Sequence, residues 1–76
     1  MSAELTTAEV MRLSGFSRQR LYSYSTLGLI EPSGHGRYPA AVLDELKLIV
    51  DLNRSGYPLR EIREIFFRRR IEAARG

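Results

Sequence analysis

The 76-residue sequence has no cysteine and one histidine, His35. The first absence excludes disulfides, thiol redox sensing and thiolate metal sites. The second leaves zinc without a ligand set, because one imidazole needs several carboxylate partners. Neither a metal nor a cofactor is expected. No apolar run approaches the roughly 18 residues that a membrane span needs. The opening Met-Ser-Ala-Glu-Leu is acidic and poor in apolar residues, unlike a secretory signal. The expected location is the cytoplasm. A catalytic constellation is also missing. There is no Ser/His/Asp set with a second component and no glycine-rich phosphate loop. Asp44, Glu45, Asp51, Glu61 and Glu64 are spread over helical segments as surface charge. The chain is not expected to be an enzyme.

Its length allows one small domain with a single core of short helices. Twelve Lys and Arg stand against nine Asp and Glu, a net charge of +3. Every cation except Lys47 is arginine. A guanidinium is a planar fork of donors that suits phosphates and guanine edges better than an ammonium does.

Local signals divide the chain into helices. Thr6-Thr7-Ala8-Glu9 has capping-box spacing and opens a first helix to about Ser14. Val10 and Leu13, at i and i+3, are expected on its inner face. Gly15 ends it and Phe16 is expected in the core. Ser17 then caps a second helix after only two or three residues, which is helix-turn-helix spacing. On a helical wheel Leu21, Tyr24 and Leu27 share one side of this helix, and Arg18, Gln19, Tyr22 and Thr26 the other. Tyr22 and Tyr24 point about 200° apart, so different tasks are expected of them. Arg20 falls at the edge of the apolar sector. Gly28 is suited to the position after the helix.

The next segment predicts a small β-hairpin wing. Leu29–Pro32 forms one strand, Arg37-Tyr38 starts the other, and Ser33-Gly34-His35-Gly36 turns between them. Pro39 suits the first turn of a third helix that runs to about Ser55. Gly56 stops that helix and Pro58 opens a fourth, with Leu59, Ile62, Ile65 and Phe66 in one stripe. The expected fold is mainly α: a winged helix-turn-helix of four helices with a two-stranded β wing, one domain over residues 1–76.

This order resembles the DNA-binding domain of the MerR family of transcription regulators. Leu5-Thr6-Thr7-Ala8-Glu9-Val10 resembles the family's opening, and Ser17 to Leu29 its recognition helix. Gly34 to Tyr38 resembles its wing, and Leu52 with Gly56-Tyr57-Pro58-Leu59-Arg60-Glu61-Ile62 its later signature. The resemblance covers residues 5 to about 67. Two positions depart from the pattern. Tyr22-Ser23 stands where relatives have Arg-Tyr, and Gly36 stands where they have the wing arginine, with Arg37 one residue later. Both are phosphate contacts in the family. Relatives also continue into a long dimerisation helix and an effector domain. The chain reads as a minimal regulator, a phage- or plasmid-type accessory protein, or an excised domain.

The resemblance implies sequence-specific binding of double-stranded DNA, on the nucleoid, with RNA polymerase or a second copy as further partners. Arg18 and Gln19 are placed to contact guanine and adenine edges, and Tyr22 a phosphate or a thymine methyl. Ser17 caps its helix and is a candidate for phosphate as well. Arg20 joins the candidates for DNA contact. Arg37 and His35 on the wing lie where a cation gains from counterion release. Tyr38 reads as a wing anchor with its hydroxyl near a phosphate, and Tyr24 as core. Thr6 is a cap whose helix start also offers amides to phosphate. Arg54, with Arg60, flanks the corner that borders DNA in the family. Arg68-Arg69-Arg70 reads as a solvated C-terminal turn. Phe67 and Ile71, off the apolar stripe of the last helix, are candidates for a partner contact. Two other function classes remain. One is a protein-interaction module like the chaperone modulators. The other is an excisionase-like recombination factor.

Overall fold

Thr6 sets the start of the structure, a computed structural model that describes residues 3–75. Its hydroxyl accepts the Glu9 N–H at 3.2 Å and its own N–H donates to the Glu9 carboxylate at 2.9 Å. This reciprocal box opens α1 (Thr7–Ser14). The bond from the Thr6 N–H, aided by the Thr6 hydroxyl and by Arg12, holds the Glu9 carboxyl below its ordinary value. Gly15, at φ 79°, closes the helix in the left-handed region. Ser17 caps α2 (Arg18–Leu27) by accepting the Arg20 N–H at 3.1 Å, and Gly28 ends it at φ 82°. Two helices joined by Gly15-Phe16-Ser17 are the helix-turn-helix that the spacing predicts.

The sheet is two-stranded, but its partners differ from the expected hairpin. β1 (Glu4–Thr6) pairs antiparallel with β2 (Arg37–Pro39), with Glu4 opposite Pro39 and Thr6 opposite Arg37. Leu29–Pro32 is not a strand. Leu29 and Ile30 are consecutive and both fully buried, whereas a strand sends neighbours to opposite faces. The turn itself is present. Arg37 N–H donates to Gly34 at 3.2 Å and Ser33 N–H to Arg37 at 3.0 Å, so the loop folds back on itself before β2. Pro39 belongs to β2 rather than to the third helix. It has no N–H to give, which an edge strand tolerates. The Ala40 N–H continues the ladder to Ala3 at 3.1 Å.

The third helix, α3 (Val42–Arg54), therefore starts later, from Ala41 without a side-chain cap. Asp44 in its first turn and Arg54 in its last complement its dipole. Gly56, at φ 108°, allows the corner into α4 (Leu59–Arg75), where the Pro58 carbonyl accepts the first helical bonds.

One core gathers Val10, Phe16, Leu21, Tyr24, Leu29, Ile30, Tyr38, Val42, Leu46, Ile49, Ile62 and Phe66. All four helices, the exit of α2 and the wing contribute to it. Leu13 does not: it is 54 % exposed. It borders an open groove between α1 and α3, beside Phe16, Leu43, Leu46 and Val50. An eight-residue helix beside that opening buries Val10 alone.

Glu45 is half-buried where α3 meets α4. Burial raises its carboxyl above the ordinary 4.5, with Glu31 adding to the shift and Arg70 and Arg69 opposing it. Its charged form is disfavoured by folding. The stability that Glu45 lends is present in full below its unfolded value and is lost as pH rises through the folded one. Glu45→Gln is expected to melt higher than the wild type at pH 7, and the two curves should converge below pH 4.5. Circular-dichroism melts at both pH values check this. A lower melting temperature for the variant at pH 7 would show that the charge is favourable in place.

Candidate nucleic-acid interface

α2 divides as its wheel predicts. Leu21 and Tyr24 are buried; Arg18, Gln19, Tyr22 and Thr26 are exposed, with Tyr22 at 72 %. Leu27, expected with the apolar side, is partly open at the end of the helix. The helix sequence Arg-Gln-Arg-Leu-Tyr-Ser-Tyr-Ser-Thr-Leu holds no acidic residue. Among the described residues Arg18 has no ion pair. The outer face of α2 is thus a cationic and polar surface whose donors are free.

Arg20 is placed differently. Its guanidinium lies 4.3 Å from the centre of the Phe16 ring and 5.5 Å from that of Tyr24. Its Nε and Nη2 donate to the Tyr24 hydroxyl at 3.3 and 3.1 Å. Phe16 and Tyr24 themselves meet edge to face, 5.6 Å between centroids. Cation–π contact and two hydrogen bonds hold this side chain against the helix-turn-helix corner. Across a shallow cleft, lined also by Ser14 and Gly15, lies Arg54 with Asn53. Arg20 and Arg54, 34 positions apart in the chain, border one surface.

The wing forms a second exposed surface. The Gly36 carbonyl accepts the Thr7 N–H at 3.1 Å, so the wing loop rests on the start of α1. Thr6 stands opposite Arg37 across the sheet, and both are exposed, as is His35 two positions before Arg37. Glu4 ties the loop down by accepting from the Ser33 hydroxyl. It also stands 4.0 Å from the Arg37 guanidinium, both side chains being open to water. An exposed pair at that distance contributes little, which leaves Arg37 available to an anion. Tyr38 points the other way. It is buried, and its hydroxyl shares a 3.3 Å hydrogen bond with Ser25 of α2. Ser17 spends its hydroxyl on the α2 cap while remaining exposed.

The end of the chain departs from expectation. Arg68, Arg69 and Arg70 lie within α4, not in a terminal turn. Arg70 is half-buried and bonded to the exit of α2. The sequence carries a signal for this: Ile62, Phe66 and Arg70 are spaced by four, so Arg70 continues the buried stripe. Tyr57, 44 % exposed at the α3–α4 corner, is a further candidate that its place between Arg54 and Arg60 brings forward. Phe67 and Ile71 are exposed on α4, at 60 % and 42 %.

Among the described residues no three His, Asp or Glu side chains converge to hold a metal ion, and no helix is long and apolar enough to cross a membrane. A family model described as MerR HTH family regulatory protein matches residues 5–68. No curated protein and no solved structure matches the chain. The matched span runs from β1 through both helices of the helix-turn-helix, the wing and α3 into α4. The chain belongs to the MerR family of helix-turn-helix regulatory proteins, whose general function is DNA-binding transcription regulation.

Proposed function

We propose that the domain reads double-stranded DNA by sequence, with α2 in the major groove and the wing loop on the flanking backbone. The observation that carries this reading is the outer face of α2. Arg18 and Gln19 in its first turn, and Tyr22 one turn on, are exposed on a helix without a single carboxylate. Recognition helices place their first residues against base edges, where Arg pairs with guanine and Gln with adenine. Thr6, His35 and Arg37 on the wing side, and Ser17, Arg20, Arg54 and Tyr57 at the helix-turn-helix and α3–α4 corners, are the flanking contacts. Tyr38 serves through Ser25, by fixing the wing to α2.

Regulation of this kind takes place on the nucleoid in the cytoplasm, beside RNA polymerase. A second copy on adjacent DNA is the partner proposed for Phe67 and Ile71. A domain this small spans few base pairs, so useful specificity calls for two half-sites. What supports that pairing is the exposure of the two side chains.

Selection from random-sequence DNA followed by titration at several salt concentrations tests the reading. A recovered motif is expected, with log K falling linearly in log salt. Arg37→Ala should weaken binding to every sequence and lower the slope by about one unit, as removal of one phosphate-neutralising cation does. An unchanged slope would remove Arg37 from the backbone contacts. Failure to recover any motif would remove sequence-specific binding altogether.

A further inference from the structure

α2 is lightly rooted. Its ten residues bury only two side chains, Leu21 and Tyr24. The angle at which it meets DNA therefore depends on how its ends are held. Arg20 braces its first half against Phe16. The other end is held from 42 positions away. Arg70 of α4 sends Nη1 to the Gly28 carbonyl and Nη2 to the Leu29 carbonyl, each at 3.1 Å. Nη1 also stands 3.2 Å from the Glu31 carboxylate. Gly28 and Leu29 lie where a helix ends with carbonyls short of partners and with the negative end of its dipole. Arginine meets both needs at once. Two parallel donors match two successive carbonyls, and the charge faces the dipole. The Arg70 side chain is only 28 % exposed and its fork is committed inward.

We propose that Arg70 is a positioning residue for DNA reading: it fixes the pose of α2 through the Gly28 and Leu29 carbonyls and does not touch DNA. This rests on α2 being the recognition helix. The fork fastens the junction from which both α2 and the wing loop extend, since Leu29 and Ile30 run from α2 into the core just before the wing. Without the fork, α2 keeps its Arg18, Gln19 and Tyr22 but holds them at a less defined angle. Contacts to base edges pair specific donors with specific acceptors and so need a fixed helix angle, whereas the electrostatic attraction to phosphates is sequence-independent.

The experiment uses Arg70→Lys and Glu31→Gln in the intact chain, titrated with a selected site and with random DNA across salt concentration, alongside thermal melts. Lysine keeps the charge and gives up the paired geometry. Arg70→Lys is expected to lower the ratio of selected-site to random-DNA affinity by about tenfold, on the scale of one mismatched base pair. Its random-DNA affinity and salt slope should stay at wild-type values. Glu31→Gln removes the exposed ion pair but leaves both carbonyl bonds, and should keep the wild-type ratio.

Any of the following outcomes would overturn the proposal. A lower melting temperature with an unchanged ratio makes Arg70 structural only. An equal drop on both DNAs with a reduced salt slope makes it a phosphate contact. A drop in Glu31→Gln as large as in Arg70→Lys places the effect in the ion pair. If the wild type itself shows no preference, the recognition-helix reading fails and the proposal with it. A wild type that discriminates beside an Arg70→Lys protein that discriminates equally refutes the proposal alone.

Discussion

Arg18→Ala and Gln19→Ala are each expected to cost roughly 1–3 kcal/mol on the best site and to relax sequence preference at the base each one reads. The two side chains share the first turn of α2, clear of the core and of any carboxylate within the helix. Their contribution to folding is small, because exposed substitutions away from caps and networks usually change stability by about 0.5 kcal/mol or less. Their effect should therefore appear in binding and not in melting. A phosphate contact would weaken all sequences alike, whereas a base contact flattens one position of the motif. Competition between the selected site and its single-base variants separates the two. If both variants kept the wild-type preference profile, the first turn of α2 would not be reading bases.

Ile30→Ala is expected to cost about 2–5 kcal/mol of stability, the usual range for a fully buried aliphatic truncation. Ile30 is completely inaccessible and belongs to the same core as Val10, Leu46, Ile49 and Ile62. A single core in a chain this short rarely supplies more than about 3–5 kcal/mol in total. The variant should therefore be largely unfolded at physiological temperature and fail to bind DNA as a consequence. Tyr22→Ala, at an exposed position of α2, should melt like the wild type. Urea unfolding followed by circular dichroism gives both values. A change under about 1 kcal/mol for Ile30→Ala, well below the usual range, would mean that the segment after α2 is not the core element described.

Where structure depends on residues three or four apart, the sequence announces it. Thr6 with Glu9, Ser17 with Arg20, and the glycines at 15 and 28 mark helix ends by chemistry that acts within one turn. The opposite faces of Tyr22 and Tyr24 follow from the helical period alone. The wing strand is harder to read, because its partner lies more than thirty positions away. Glu4–Thr6 is too short to show alternation, and its pairing with Arg37–Pro39 is set by the fold around it. Leu29 and Ile30 look like a strand in composition, yet both turn inward because they lead α2 into the core. Arg70 is hidden for the same reason: its carbonyl partners are 41 and 42 positions distant. Among three consecutive arginines, only the stripe through Ile62 and Phe66 singles it out.

On the proposed function, α2 reads purine edges in the major groove. Replacing the purines of the selected site with 7-deazapurines tests it directly. That change removes the N7 acceptor to which Arg on guanine and Gln on adenine would bond, and it leaves the phosphates and the minor groove intact. Wild-type affinity is expected to fall at each purine that α2 reads, by part of the roughly 1–3 kcal/mol of a full bidentate pair because the O6 or N6 contact remains, with the salt slope unchanged. The doubly substituted Arg18→Ala, Gln19→Ala protein should bind natural and modified sites equally. Equal binding of both sites by the wild type would contradict α2 as the element that reads the major groove.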